Sequence, residues 1–168
     1  MHKLRRHVAG FTMIELVTVL ALLGILSAVA FSRLGNVGSY ESSLFSNQLL
    51  AYLRLAQRTA VAHQQSDTLF TLTRAADDAW QVELRFGAPQ QTLRYGIESD
   101  ITFNYAMAGI NGQLDTGDTL TLRYTDEGDL ARLESPAAAD VTRSLALTVS
   151  GRALCISPTG FAYANTCL

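Results

Sequence analysis

Hydrophobic and polar positions follow different periods along successive parts of this chain. Residues 11–31 are apolar at nearly every position, and Glu15 is their only ionisable side chain. At about 1.5 Å rise per residue, such a run forms a helix long enough for a hydrocarbon core roughly 30 Å thick. From 39 to 63 the apolar positions Phe45, Leu49, Tyr52, Leu53, Ala56, Ala60 and His63 recur at three- and four-residue steps, with Arg54, Gln57 and Arg58 elsewhere. That spacing predicts an amphipathic helix laid on a sheet. Between the two, Arg33, Gly35 and Gly38 predict a flexible or partly melted stretch over 33–38.

Beyond His63 the period becomes two. Segments 68–74 and 80–86 predict a hairpin around 75–79, with Val82, Leu84 and Phe86 on one side of the sheet and Glu83 and Arg85 on the other. Further strands are expected at 92–96, 101–106, 119–125, 129–133, 144–150, 153–157 and 161–163, with Leu145, Leu147 and Val149 inward. Asp126-Glu127-Gly128 reads as a compact turn, 109–118 as a polar, Gly-bearing loop and 135–140 as another connection. The expected fold class is α+β, a long N-terminal helix with a transmembrane half and an amphipathic half, packed on a mostly antiparallel β-sheet. The segments are then a basic stretch at 1–10, a membrane helix at 11–31 and a globular head at 32–168, made of helix 39–63 and sheet 66–168.

Charge orients this arrangement. His2, Lys3, Arg5, Arg6 and His7 precede the apolar run, and such a cluster stays in the cytoplasm while the rest crosses. A basic stretch, an apolar run and small residues also describe an ordinary secretory signal, cut after Ala30 in Ala28-Val29-Ala30 to release a soluble enzyme beginning at Phe31. Glu15 argues against that reading, because a carboxylate at a helix centre costs about 2.5–3.5 kcal/mol on insertion scales. A disposable signal gains nothing from it.

The basic leader ending in Gly10, followed by Phe11-Thr12-Met13-Ile14-Glu15-Leu16, resembles the type IV pilins and the pseudopilins of type II secretion. The resemblance implies that a prepilin peptidase cuts after Gly10 and methylates the new amine of Phe11. It further implies partners in other pilin or pseudopilin subunits and an inner-membrane assembly platform. The subunit would sit in the bacterial inner membrane before assembly, and in a pilus or periplasmic pseudopilus afterwards. Segment 49–62, rich in Leu, Arg and Ala, is similar to minor pilins such as those of the mannose-sensitive haemagglutinin pilus and to H-type, FimT-like pseudopilins.

The chemistry of Glu15 fits that implication. Cleavage after Gly10 creates an α-amine of pKa about 7.7–8.0, and positions 11 and 15 share a helix face. A carboxylate in lipid is tolerated when a cation neutralises it, either its own amine or that of a neighbouring subunit. A second, compatible reading is local: Thr12 and Glu15 have capping-box spacing, at the helix end that favours an anion.

Composition narrows the remaining chemistry. The 168-residue chain has a formal charge of −2, and three of its 13 Lys and Arg (Lys3, Arg5, Arg6) lie in the leader, so the processed chain is more acidic still. That balance argues against nucleic acid as a partner; the resemblance to FimT-like proteins, some of which carry a basic C-terminal Gly-Arg motif, keeps open a DNA-binding minor pilin of competence, since Gly151-Arg152 is present with Arg143 nearby. Cys155 and Cys167 are expected to form a disulfide on the oxidising side of the membrane, two buried free thiols being the alternative. With His63 as the one histidine beyond the leader, neither a metal site nor a cofactor is expected. No serine elbow surrounds Ser150-Gly151 or Ser157-Pro158, so no enzyme is expected. Asp77-Asp78, Asp126-Glu127 and Asp115 with Asp118 read as solvated turns and Trp80 as sheet packing. The expected function is structural, as a minor pilin that enters or primes a pilus, or else a pseudopilin of type II secretion.

Overall fold

The computed structural model describes residues 12–34 and 37–168, with side chains from Thr12 to Ala28 and from Gly38 onward. It divides into two units, one up to Val37 and one over Gly38–Leu168. In the first, α1 spans Met13–Leu34. Its side chains from Met13 to Leu26 are exposed all round, Met13 at 85% and Leu20 at 60%, so these described residues form no buried stripe.

In the second unit α2 spans Val37–Ala62. The stretch expected to melt is therefore helical at Arg33, Leu34, Val37 and Gly38; Gly35 and Asn36 lie outside the described residues. The three-and-four spacing places Phe45, Leu49, Leu53, Ala56 and Ala60 in the core, where burial of each large side chain is worth about 1.5–3 kcal/mol. Tyr52 stacks on Tyr95 at 4.7 Å and His63 packs on Phe86 at 4.6 Å. Ser42 and Ser46 are buried too, because their hydroxyls donate to the Gly38 and Ser42 carbonyls of the same helix.

The strands make two sheets instead of the single one expected. With β1 Thr68–Ala76, β2 Ala79–Phe86, β3 Gln91–Glu98, β6 Thr119–Tyr124, β7 Leu130–Ser135 and β8 Ala139–Asp140, the first runs in the order β3-β2-β1-β6-β7-β8. With β4 Phe103–Met107, β5 Ile110–Gln113, β9 Leu145–Val149, β10 Arg152–Ile156 and β11 Ala162–Ala164, the second runs β11-β10-β9-β4-β5. The pairings are antiparallel, for example Leu72↔Val82 and Tyr105↔Leu147. Val82, Leu84 and Phe86 face the core, as do Leu145, Leu147 and Val149, and one hydrophobic cluster joins α2 to both sheets.

Two segments expected as connections carry strands. Residues 109–118 contain β5, which folds back on β4 through Ala108 and Gly109, both at positive φ. The Tyr105 ring lies over Gly112, where a Cβ would come within 2.9 Å of Tyr105 Cζ. Residues 135–140 contain β8, paired with β7 at Arg132↔Asp140.

Trp80 stands where the elements meet. Its ring centroid is 5.4 Å from Phe45 of α2 and 5.8 Å from Phe103 of the second sheet. Nε1–H donates to the Ser99 carbonyl at 3.1 Å, and the Arg74 guanidinium lies 5.5 Å from the ring centroid.

A second junction fastens the C-terminal part to α2. Gln57 Nε2 donates to the Thr159 carbonyl at 2.8 Å and Leu130 N–H to the Pro158 carbonyl at 2.8 Å. The backbones approach so closely that a Cβ on Gly160, which has φ +75°, would lie 2.0 Å from Gly128 O. Gly160→Ala is therefore expected to destabilise the fold by about 2–4 kcal/mol, combining left-handed strain with loss of the docked turn. Gly109→Ala also has positive φ but open space around it, and strain alone predicts about 1 kcal/mol. Urea midpoints of the two full-length variants in detergent test the difference.

Candidate functional site

The chemistry singled out by the sequence sits at the start of α1. Thr12 Oγ1 accepts the Glu15 N–H at 3.3 Å, and the Thr12 carbonyl accepts it at 3.1 Å. Thr12 is thus the N-cap: its hydroxyl satisfies one of the donors that a helix start leaves without an intrahelical acceptor. Gly10 and Phe11, the expected cleavage and methylation positions, lie outside the described residues.

Polar groups further along α1 are satisfied within the helix. Thr18 Oγ1 donates to the Glu15 carbonyl at 2.9 Å and Ser27 Oγ to the Leu23 carbonyl at 2.7 Å, an arrangement that hides a hydroxyl against its own backbone. The Glu15 carboxylate cannot be hidden in this way. It is exposed among Met13, Ile14, Leu16 and Val17, in the first turn, where the helix dipole favours an anion.

Taken over the described residues, no helix is long and apolar enough to cross a membrane. The described side chains of α1 stop at Ala28, while the apolar run continues in the sequence to Phe31.

The other candidates disperse. Ser150 Oγ accepts the Thr102 N–H, and Ser157 Oγ accepts the Phe161 N–H within its own turn. His63 Nδ1 bonds the Thr59 carbonyl at the end of α2, so neither serine gains a base from it. Asp77 accepts from Thr116 Oγ1 and Asp118 from the Asp115 N–H, while Asp126 faces the Gln65 N–H at 3.4 Å. Among the described residues no group of three or more His, Cys, Asp and Glu could hold a metal ion. Arg152 turns back to the Ser39 carbonyl at 3.4 Å and lines an open recess with Asp100.

Cys155 and Cys167 are joined by a disulfide, with Cα atoms 5.2 Å apart. The bond ties the end of the chain to the buried strand β10, and the closed loop restricts the unfolded chain.

Sequence reasoning did not find the ion pairs on the outer face of the first sheet. Glu83 lies 2.7 Å from both Arg85 and Arg94, and the Arg94 hydrogen bond is the main cause holding its carboxyl below the ordinary range. Arg123 and Arg132 share Glu134, and Arg132 also holds Asp140. Strand alternation puts Glu83 and Arg85 on that face; only the register brings Arg94 to Glu83.

No curated protein and no solved structure matches the chain. Residues 5–31 match the family model described as the prokaryotic N-terminal methylation motif. The leader and the first turns of α1 therefore constitute an N-terminal methylation motif of the type IV pilin-like kind.

Proposed function

We propose that this chain is a minor type IV pilin, of the kind found in mannose-sensitive haemagglutinin pili, that enters a pilus or primes its assembly. A prepilin peptidase cuts it after Gly10 and methylates Phe11. Residues 11–31 hold it in the inner membrane, N-terminus inside, until it joins other pilin subunits. It is a structural component and not a catalyst.

The observation that carries this reading is Glu15 in the first turn of a helix exposed and apolar on every side, within a methylation motif. A helix apolar all round is stable only inside lipid or among other helices. There the carboxylate needs a cation, and the new Phe11 amine of the same or an adjacent subunit supplies one. Packing between α1 helices together with that contact drives the subunit into a fibre.

Intact-mass measurement of the protein purified from the native membrane tests the processing. The expected mass lacks Met1 to Gly10 and carries one added methyl group. A chain beginning at Phe31 would instead establish a secreted soluble protein. The pseudopilin reading shares the same processing, and the fibre in which the subunit is found separates the two.

A further inference from the structure

β3 is an outer strand of the first sheet and, among the described residues, bonds on one side only, to β2. The other three outer strands are short: two residues in β8, four in β5 and three in β11, against eight in β3. Short outer strands, bulges, prolines and charged side chains are the usual ways in which a sheet avoids pairing with another chain. β3 has none of the first three, and its two charges, Arg94 and Glu98, are of opposite sign. Its register against β2 runs without a shift from Ala79↔Glu98 to Phe86↔Gln91, and no proline interrupts it.

Alternation sorts its side chains. Leu93, Tyr95 and Ile97 stand opposite Leu84, Val82 and Trp80 on the core side of the sheet, where Ile97 is buried, Tyr95 half-buried and Leu93, toward the start of the strand, exposed; Thr92, Arg94, Gly96 and Glu98 alternate with them on the other face. A Cβ on Gly96 would meet nothing within 4 Å. A glycine inside a strand is a place where another backbone can come close.

The outward charges are self-complementary. In an antiparallel pair of two copies with Gly96 opposite Gly96, Arg94 falls opposite Glu98 of the partner subunit, and the reverse pair forms across the axis. Moving the axis to Arg94 or to Glu98 sets like charges directly opposite, which is destabilising. Moving it to Tyr95 leaves both charges facing uncharged residues. Arg94 engages Glu83 through Nε, which leaves its Nη groups for a second carboxylate. Glu98 is exposed and has no ion pair among the described residues.

We propose that β3 is a docking edge for a second copy of this chain, paired antiparallel about a twofold axis through Gly96 and joining two six-stranded sheets into one. Main-chain hydrogen bonds supply the affinity, as in strand addition generally, and the Arg94 and Glu98 pairs set the register. The surface is isologous, so the contact closes at two copies.

Cross-linking of the full chain in detergent tests the register. The only cysteines, Cys155 and Cys167, are bonded to each other, so Gly96→Cys introduces the one free thiol. Directly opposed Cα atoms in an antiparallel pair lie about 4.5–5.5 Å apart, within reach of a disulfide. Mild oxidation of Gly96→Cys should give a covalent dimer on a non-reducing gel. Thr92→Cys should give none, because its two copies would lie roughly 27 Å apart. Adding Glu98→Arg to Gly96→Cys should lower the dimer fraction at least tenfold. Absence of dimer from Gly96→Cys, equal dimer from Thr92→Cys, or an unchanged dimer fraction on adding Glu98→Arg would each overturn the proposal.

Discussion

Replacing Glu15 with Gln is expected to leave cleavage after Gly10 intact and to reduce the subunit in fibres by roughly a hundredfold, the equivalent of the 2.5–3.5 kcal/mol that an uncompensated charge costs within lipid. The orphaned charge in that variant is the cationic Phe11 amine. Gln is the informative substitution because it still serves at the third position of a capping box. If Glu15 only capped α1, together with the observed Thr12 hydrogen bond, the Gln variant would assemble normally. Glu15→Asp keeps the charge on a shorter arm and should assemble better than Glu15→Gln. Subunit content of sheared fibres, compared with membrane-bound processed protein, reads both quantities. Normal incorporation of Glu15→Gln would remove the charge-pairing argument while leaving the processing measurement untouched.

Trp80→Ala is expected to cost about 3–5 kcal/mol, the range for loss of a large buried aromatic. The site should sit at the upper end. Trp80 contacts α2 through Phe45 and the second sheet through Phe103, so the cavity opens where elements from distant parts of the chain converge. The Ser99 carbonyl also loses the Nε1–H donor it now has. Trp80→Phe keeps most of the volume and should cost less than half as much. Urea unfolding followed by far-ultraviolet circular dichroism measures both variants, since Trp80 is the single tryptophan and its fluorescence disappears with it. Equal midpoints for the wild type and Trp80→Ala would show that this junction does not hold the head together.

Much of the secondary structure was legible because it depends on local periodicity. Phe45, Leu49, Leu53, Ala56 and Ala60 share one face of any helix drawn over them, and they line the core. Val82, Leu84 and Phe86 alternate with Glu83 and Arg85, and the pleat separates the two sets. Expected strand positions fell within a few residues of those found, from Thr68 at the start of β1 to Ala164 at the end of β11. The burial of Ser42 and Ser46 has no such periodic signal; bonding to their own helix carbonyls is what allows it. β5 was missed because Asn111-Gly112-Gln113 carries no apolar alternation; its place is set by pairing with β4 and by the Tyr105 ring over Gly112.

The candidate site divides in the same way. The methylation motif was readable directly, because it is a pattern of neighbours along one chain: a basic stretch, Gly10-Phe11 and the lone acid of an apolar run. The same order of residues determined an antiparallel head with a long first helix. Only the tertiary structure decided that the strands divide into two sheets, that Gly128 and Gly160 meet backbone to backbone, and that β3 is left as a long open edge. Those outcomes rest on strand register and on contacts between residues far apart in sequence. Such contacts form only when the gain from a shared core exceeds the entropy of closing the loops between them.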